Sequence, residues 1–352
     1  MSTISYRQLA AAGAAGGASA VSLVTELMPA GGLHAGIAPP RSEPGPGSAV
    51  FGQVRYIDGE PVAVVVIDDK RRQLKRVEAA IEQSIVDEHP LLSRVPRIRV
   101  SLGGGRVCHT DLQLPHRAFD ALILAGTIDG TPVQVHPDYR AARQCSPADA
   151  RAMLELSPGS LVFGAHDPTG DGGRFRGALA GEIVGVLAEQ QQTSARGPRQ
   201  TGLVGCRRII RTQVLSFAAL RQLRFDAGPV GDAACRALLA AYALAGLVRA
   251  NAELAIRADC DLVESKPTAM RLDARDGAFV MLEAPTLADC DALLEQALEA
   301  ARLEADIVWR GQMLEVTGDP DYRSKIDADA AGGAATPARP FWRQQPAAAR
   351  RN

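Results

Sequence analysis

The chain has 352 residues, 46% of them apolar, and a formal net charge of −1 from 39 Lys and Arg against 40 Asp and Glu. This length supports one elaborated domain or two, and a balanced total charge excludes neither nucleic acid nor a small molecule as partner. The six cysteines form no C-x-x-C pair and no apolar run approaches roughly 18 residues, which argues against a disulfide framework, a zinc site and a membrane span.

Residues 1–20 form an N-terminal segment rich in Ala and Gly. Ala18-Ser19-Ala20 resembles a signal-peptide cleavage site, but the preceding stretch is weakly apolar and carries only Arg7, so we expect a cytoplasmic protein. Val21 to Leu27 alternates between apolar and polar residues and predicts a first strand. The Gly/Pro-rich stretch 28–48 predicts a long loop.

Pro61 to Ile67 is an uninterrupted apolar run that predicts a strand buried on both faces. A helix is predicted from Asp69 to Glu88, with Asp68 or Asp69 as its N-cap. Cations crowd its first two turns and would repel one another unless an anion or nearby carboxylates relieve them. These cations are Lys70, Arg71, Arg72, Lys75 and Arg76.

The pattern from about 92 to 145 is less regular. Gly103 to Gly105 predicts the tip of a hairpin or a flexible loop between arginine-containing segments. The string P-H-R-x-x-D-A follows at Pro115 to Ala121 and contains Arg117. No Ser or Cys nucleophile is visibly paired with His109, His116 or His136, so the pattern does not predict nucleophilic catalysis.

The stretch from Glu155 to Glu189 predicts a strand at Ser160 to Phe163, a glycine-containing loop at His166 to Gly173, and a helix from Arg174. The helical pattern rests on apolar residues at four-residue steps, which are Phe175, Leu179, Ile183 and Leu187. A glycine loop before a helix N-terminus can cradle an anion, and cations in the first turn are unfavourable there without one. The loop lacks the Lys-[Ser/Thr] ending of a P-loop, so an ordinary turn is the alternative.

No acidic residue occurs from Gln190 through Phe225, which predicts a site for a polyanion. The arginines of this stretch are Arg196, Arg199, Arg207, Arg208, Arg211, Arg221 and Arg224. Within it, 190–198 predicts a flexible connector, and Gly205 to Ser216 predicts a strand that offers its cations on one face. Ala233 to Val248 predicts a packed helix, and 327–352 predicts a disordered tail.

Several strings together resemble one protein family. They are the D-x4-Q-x-x-R-[Val for Leu]-E pattern of Asp68, Gln73, Arg76, Val77 and Glu78, the Pro115 to Ala121 string, the Leu156 to Gly185 stretch, and Ile256 to Val263 (IRADCDLV). The chain is similar to the CRISPR-associated RAMP-superfamily protein of subtype I-G (formerly I-U), the Cas-seven-type backbone subunit of the Cascade complex. The strings cover about two-thirds of the chain in scattered pieces, and their specificity comes from the ensemble.

The resemblance implies an α+β fold: a modified RRM-like (ferredoxin-like) palm over 21–326 with a finger or thumb insertion near 92–145. It implies a non-catalytic subunit that oligomerises along CRISPR RNA and presents the guide for pairing with target DNA. Further copies of the chain, other Cascade subunits and a recruited nuclease-helicase are the implied partners. No membrane, cofactor, metal or catalytic residue is expected.

The expected RNA-binding residues are Arg72, Gln73, Arg76, Arg117, Arg174, Arg176, Arg207 and Arg208. Sparse aromatics, 4% of the chain, favour binding of the sugar–phosphate backbone over base stacking. The hypothesis requires cations from distant segments, represented by Arg76, Arg174 and Arg207, to share one trough.

The sequence leaves three alternatives open. The first is a metal-dependent, RNA-cleaving RAMP subunit using Asp68, Asp167 and Asp171, although Asp in glycine loops is more often a turn former. The second is a small-molecule phosphate-binding enzyme that uses the loop 170–176. The third is a structural assembly protein without nucleic acid.

Overall fold

A computed structural model describes residues 2–40, 53–105, 107–167, 169, 173–187 and 203–318. The predicted connector 190–198, the predicted disordered tail 327–352 and Asp171 lie outside these residues, as do Arg196 and Arg199. The mixture of helices and strands confirms the α+β prediction.

The strands are β1 (Ala20–Pro29), β2 (Gln53–Ile57), β3 (Glu60–Asp68), β4 (Arg97–Leu102), β5 (Val107–Thr110), β6 (Thr127–Ile128), β7 (Thr131–Pro132), β8 (Ala165–His166), β9 (Arg174–Phe175), β10 (Leu179–Leu187), β11 (Cys206–Ser216), β12 (Leu262–Glu264), β13 (Ala269–Asp273), β14 (Phe279–Leu282) and β15 (Met313–Thr317). The α-helices are α1 (Tyr6–Gly13), α2 (Lys70–Val86), α3 (Ala121–Leu124), α4 (Pro137–Gln144), α5 (Arg151–Leu156), α6 (Pro158–Phe163), α7 (Phe217–Leu220), α8 (Gly228–Ala252) and α9 (Leu287–Ala305). Short 3₁₀ helices lie at Leu92–Arg94, Asp111–Gln113, Arg117–Phe119 and Val133–Val135.

The main sheet has the strand order β14-β13-β1-β11-β10-β3-β2, with β12 paired to β1. Its neighbouring strands are antiparallel, with Ala20 opposite Ser216 and Ile183 opposite Asp68. Because side chains alternate along a strand, Leu23 points to the helix-covered face, whereas Val24 points to the other face and is 41% exposed. One face of the sheet therefore forms the core and the other is partly open.

Helix α8 is the centre of that core. By length and composition it could cross a membrane, but 89% of its most apolar window is buried within the fold. Gly246 allows α2 to approach, since a Cβ there would lie 2.6 Å from Cδ1 of Ile81. The predicted packed helix is thus confirmed and extends over 25 residues.

A second sheet, of order β5-β4-β15-β6-β7, contains the four strands that the structure describes in the 92–145 region. Its fifth member, β15, comes from much later in the chain and runs parallel to β4. The predicted hairpin tip is confirmed, because Gly103 to Gly105 connect β4 to β5 and all three have positive φ. Cys108 lies on β5 beside this tip and is exposed.

Two elements of the Glu155 to Glu189 stretch were predicted wrongly. Ser160 to Phe163 belongs to helix α6, which begins at Pro158 and is fully buried. The predicted helix from Arg174 is instead β9 followed by β10. A four-residue apolar step is also a multiple of two, so the same residues share one face of a strand, and Gly181 and Gly185 disfavour a helix.

Other elements agree with the sequence. Strands β1, β3 and β11 and helix α2 form where predicted, and the Asp69 side chain accepts from the Arg72 amide as the N-cap of α2. The cations of β11 do not share a face, however. Arg208 bonds to Glu26 on the open side of the sheet, whereas Arg211 lies on the helix-covered side and bonds to Thr25.

Candidate nucleic-acid interface

An open groove of about 620 Å³ lies beside the two-stranded ribbon formed by β8 and β9. We call it the basic groove. Its lining residues are Pro115, His116, Arg117, Pro147, Phe163, Gly164, Ala165, His166, Arg174, Phe175, Arg176 and Gln222. Arginines and histidines contribute to it and, among the residues that the structure describes here, no carboxylate does.

Strand alternation directs Arg174 and Arg176 outward. Phe175 between them is buried and stacks on Phe119, with ring centroids 6.5 Å apart, so its two neighbours face solvent. His166 stands directly opposite Arg174 across the ribbon. Within the described chain neither Arg174 nor Arg176 has a carboxylate partner, and adjacent cations without one repel. An anion bound in the groove would relieve this repulsion.

Arg117 forms the buried floor of the groove. Its Nε donates to Glu78 Oε1 and its Nη1 to the Gly164 carbonyl oxygen, both at 2.5 Å. The guanidinium carbon also lies 5.7 Å from the centroid of the Phe163 ring, a cation–π distance. With its hydrogen bonds directed inward, Arg117 holds the groove wall in place.

The wall depends on a close approach of two backbone segments at Gly164. A Cβ at Gly164 would lie 2.9 Å from the amide nitrogen of Gly177, and its φ of 87° is a value that favours glycine. The chain can therefore turn from α6 into β8 and bring Gly164 within reach of Arg117.

Arg72, Gln73 and Arg76 lie at a different place, the junction between β3 and α2, around the fully buried Asp68. Gln73 Nε2 donates to Asp68 Oδ2 at 2.6 Å, and Arg76 Nε donates to the same oxygen at 2.9 Å. Arg76 also donates to the carbonyl oxygens of Ala255 and Ile256 after α8. Arg76 thus links three segments of the fold, and an RNA contact by it stays a prediction.

Arg207 and Arg208 lie at the far end of β11. Arg208 is paired with both Glu26 and Asp58 at 2.5 Å. Arg207 lies at an irregularity in the pairing of β10 with β11 and is exposed. On the same open face Arg55 pairs with Glu182 and Lys266 with Glu26, so carboxylates accompany the cations there.

The structure therefore brings together Arg117, Arg174 and Arg176 in one groove, whereas the other predicted residues do not line it. Ser216, at the end of β11 near the groove, donates its amide proton to the carbonyl oxygen of Ala178. Arg207 lies nine residues away along the same strand, which corresponds to about 30 Å at the rise of an extended chain. A single trough that joins Arg76, Arg174 and Arg207 stays a prediction.

Sequence reasoning missed Gln222 of the groove and the cations Arg55 and Lys266 of the open sheet face. Gln222 comes from the turn after α7, about 45 residues beyond Arg176 by sequence number, and no local pattern connects the two. Arg55 and Lys266 are isolated cations in their own segments.

The candidate carboxylates of the cleavage alternative have internal roles where the structure describes them. Asp68 is paired with Arg76, and Asp167 with Arg143 at 2.9 Å. Burial acts to raise the pKa of Asp167, but hydrogen bonds from Thr169 and the Arg143 guanidinium outweigh it and hold that pKa below its usual range. Among the described residues, no group of three or more His, Cys, Asp or Glu side chains could hold a metal ion.

Comparison with known proteins gives one family. Residues 21–190, just under half of the chain, match the family described as CRISPR-associated protein GSU0053. The match includes β1 from Val21 onward, the junction between β3 and α2 around Asp68, and every lining residue of the basic groove except Gln222. None of the curated proteins matches the chain.

Proposed function

We propose that the chain, whose residues 21–190 match the family of CRISPR-associated protein GSU0053, is the non-catalytic, Cas-seven-type backbone subunit of a subtype I-G interference complex. It binds CRISPR RNA through the sugar–phosphate chain, oligomerises along it and leaves the guide bases free to pair with target DNA. Its further partners are other subunits of the complex and the recruited nuclease-helicase. The protein acts in the cytoplasm.

The observation that carries the proposal is the basic groove. Arg174 and Arg176 are exposed, lie within the matched segment and have no carboxylate partner among the described residues. An unpaired basic surface holds phosphates without reading sequence, and this is the requirement when base pairing supplies specificity. The low content of aromatic residues also favours binding of the sugar–phosphate backbone over base stacking.

The topology of the main sheet supports an RRM-like palm. Four of its strands, in the order β13-β1-β11-β10, are antiparallel neighbours. In chain order they are the fourth, first, third and second strands of a β-α-β-β-α-β unit, if α2 and α8 are taken as its two helices. This is the strand order expected of a ferredoxin-like palm, with the β2–β3 hairpin added at one edge.

The test is RNA binding by the full chain, measured by fluorescence anisotropy with a labelled single strand across a range of salt concentrations. The Arg174→Glu/Arg176→Glu double variant should bind at least about tenfold more weakly. Its slope of log affinity against log salt should shrink by about 1.4, because two phosphate contacts are lost at about 0.7 each.

The matched control carries the same charge change elsewhere on the surface, as Arg302→Glu/Arg310→Glu. It should bind almost as the wild type does, since Arg302 already pairs with Glu299 on α9 and both residues lie outside the groove. An equal loss of RNA affinity in the two double variants would show that only the net charge of the protein matters, and it would contradict a specific role of the groove. Wild-type affinity in the groove variant would overturn the site.

Two further measurements address assembly and chemistry. Purified protein should carry RNA, seen as a raised ratio of absorbance at 260 to 280 nm, and the mass of the complex should increase in steps with RNA length. Incubation of the complex with magnesium should leave the RNA intact. Magnesium-dependent cleavage would contradict the non-catalytic assignment and favour the cleaving RAMP alternative.

A further inference from the structure

A second cavity, of about 610 Å³, lies on the helix-covered face of the main sheet, between β12, the end of α8 and the segment before α9. Its walls are mostly aliphatic. They include Leu23, Leu27, Val248, Leu254, Leu262 and Pro285. The volume lies within the range of about 300–1,000 Å³ that is usual for small-molecule pockets.

Arg211 of β11 contributes the cation of this cavity, although its side chain is only 1% exposed. Its Nη2 donates to Glu264 Oε1 at 2.7 Å and to Thr25 Oγ1 at 3.1 Å. Nε and Nη1 are buried and have no hydrogen-bond acceptor in the part of the chain that the structure describes. Two donors of a buried guanidinium are thus left without a partner, which costs free energy.

The neighbouring polar groups accept from neither Nε nor Nη1, and they bond to one another instead. Thr25 Oγ1 and Thr268 Oγ1 are 2.7 Å apart, and Asn251 exchanges two hydrogen bonds with Gln213. No described residue supplies the acceptor, so a ligand in the cavity can do so. Glu264, whose side chain is 45% exposed, shows that Arg211 can hold a carboxylate that reaches it from the outer side.

We propose that this cavity binds small organic carboxylic acids with an apolar body. The carboxylate lies on Arg211, and the hydrocarbon part packs against the aliphatic walls. A phosphate fits less well, because its two charges would face Glu264 and one guanidinium in an otherwise apolar surrounding. The site is separate from the basic groove and does not depend on the proposed RNA binding.

The first experiment uses three probes with the full chain: hexanoate, acetate and 1-hexanol. Hexanoate has both features that the cavity requires, whereas acetate lacks the apolar body and hexanol lacks the charge. Ligand binding to the folded state raises the temperature of unfolding, so hexanoate should raise it and equal concentrations of the other two should raise it much less. An equal effect of hexanol and hexanoate would overturn the role of Arg211.

Variants locate the effect. Ala284 is exposed on the lining of the cavity, so Ala284→Phe should fill the opening, preserve the fold and abolish the hexanoate response. Ala292→Phe adds the same ring at an exposed position of α9 away from the cavity and should keep the response. A hexanoate effect that survives Ala284→Phe would overturn the site.

The Glu264→Gln variant gives an effect of opposite sign. It removes the carboxylate that now occupies Arg211, so hexanoate should bind about three- to tenfold more tightly. Arg211→Met should lose hexanoate binding, and a folded Arg211→Met protein that still responds would contradict the proposal. Weaker binding of hexanoate to the Glu264→Gln variant than to the wild type would also contradict the proposal.

Discussion

The basic groove and the Asp68 junction use the same side chain in opposite situations. At the junction, Arg76 is held by a buried carboxylate at 2.9 Å and by two carbonyl oxygens. In the groove, Arg174 and Arg176 are exposed and no carboxylate of the described chain lines the site. The junction arginine thus has internal partners, whereas the groove arginines face solvent.

This difference cannot be obtained by counting arginines along the chain. Arg117 pairs with Glu78 across 39 positions, and Arg208 with Glu26 across 182. Whether a cation is free depends on which distant carboxylate the fold brings to it. A segment without acidic residues can thus still be neutralised by its neighbours in space.

The largest effect is expected for Arg117, the floor of the groove. Arg117→Ala leaves Glu78 buried with only Lys75 at 2.9 Å as a cationic partner, so the free energy of unfolding should fall by about 3–5 kcal/mol. Urea denaturation measures this. The double variant Arg117→Leu/Glu78→Gln removes both charges and should cost less than the sum of the single changes. A loss below about 1 kcal/mol for Arg117→Ala would show that the floor is not held by this pair.

Asp111 is the acidic counterpart of this comparison. Unlike Asp68, it is a buried carboxylate with no cation bonded to it among the described residues. Complete burial raises the pKa of Asp111 to about 7, against hydrogen bonds from Ser157 and the Ile98 amide that act to lower it. The folded protein therefore holds this proton more tightly than the unfolded chain does. The resulting stability is fully present below about pH 4 and is lost as the pH rises to about 7.

Between about pH 4 and pH 7, the free energy of unfolding should therefore fall by no more than about 1.4 kcal/mol for each pH unit through this group. Asp111→Asn should remove this component, so the variant should gain on the wild type as the pH rises. Urea denaturation at pH 5, 6, 7 and 8 gives both curves. If the free energies of unfolding of the wild type and the variant changed in parallel with pH, the pKa of Asp111 would not be raised in the folded protein.

Arg76 tests the junction directly. Arg76→Leu leaves Asp68 with Gln73 alone, and the free energy of unfolding should fall by about 2–3 kcal/mol. If the role of Arg76 is internal, RNA affinity of the folded variant should change less than twofold. A stable variant with strongly reduced RNA affinity would instead place Arg76 with the groove arginines.

The smallest effects are expected at the far end of β11. Arg208→Ala removes partly exposed ion pairs with Glu26 and Asp58 and should cost about 0.5–1 kcal/mol or less. Arg207→Ala should leave stability unchanged and reduce the salt dependence of RNA binding by about 0.7, if the RNA reaches this end. A larger loss of stability in Arg207→Ala than in Arg208→Ala would contradict the pairing of Arg208 with Glu26 and Asp58.

Much of the fold could be predicted from the sequence in segments whose pattern of apolar and polar residues fits only one kind of secondary structure. The alternation of β1, the apolar run of β3 and the N-cap of α2 each specify one structure. The region after Arg174 could not be assigned, because an apolar residue at every fourth position suits both a helix and a strand. The buried helix α6 was missed for a related reason, since a short apolar run lacks any period.

The candidate site was predicted in part. Arg174, Arg176 and Arg117 were selected from local patterns and do line one groove. Gln222 could not be selected, because long-range contacts bring its turn to the groove: the amide of nearby Arg224 donates to the carbonyl oxygen of Pro147, another lining residue. The single trough stays a prediction, because sequence spacing does not reveal which end of β11 faces which segment.

The hairpin tip at Gly103 to Gly105 has a practical consequence for labelling. A Cβ at any of these glycines would meet nothing within 4 Å, so a bulky group attached nearby would have room. Cys108 on the adjoining strand is the exposed cysteine of the six, and hydrogen bonds from Ser101 and Arg99 lower the pKa of its thiol. A maleimide dye should therefore react first at this position, which would give the unaltered protein a single optical reporter on its second sheet.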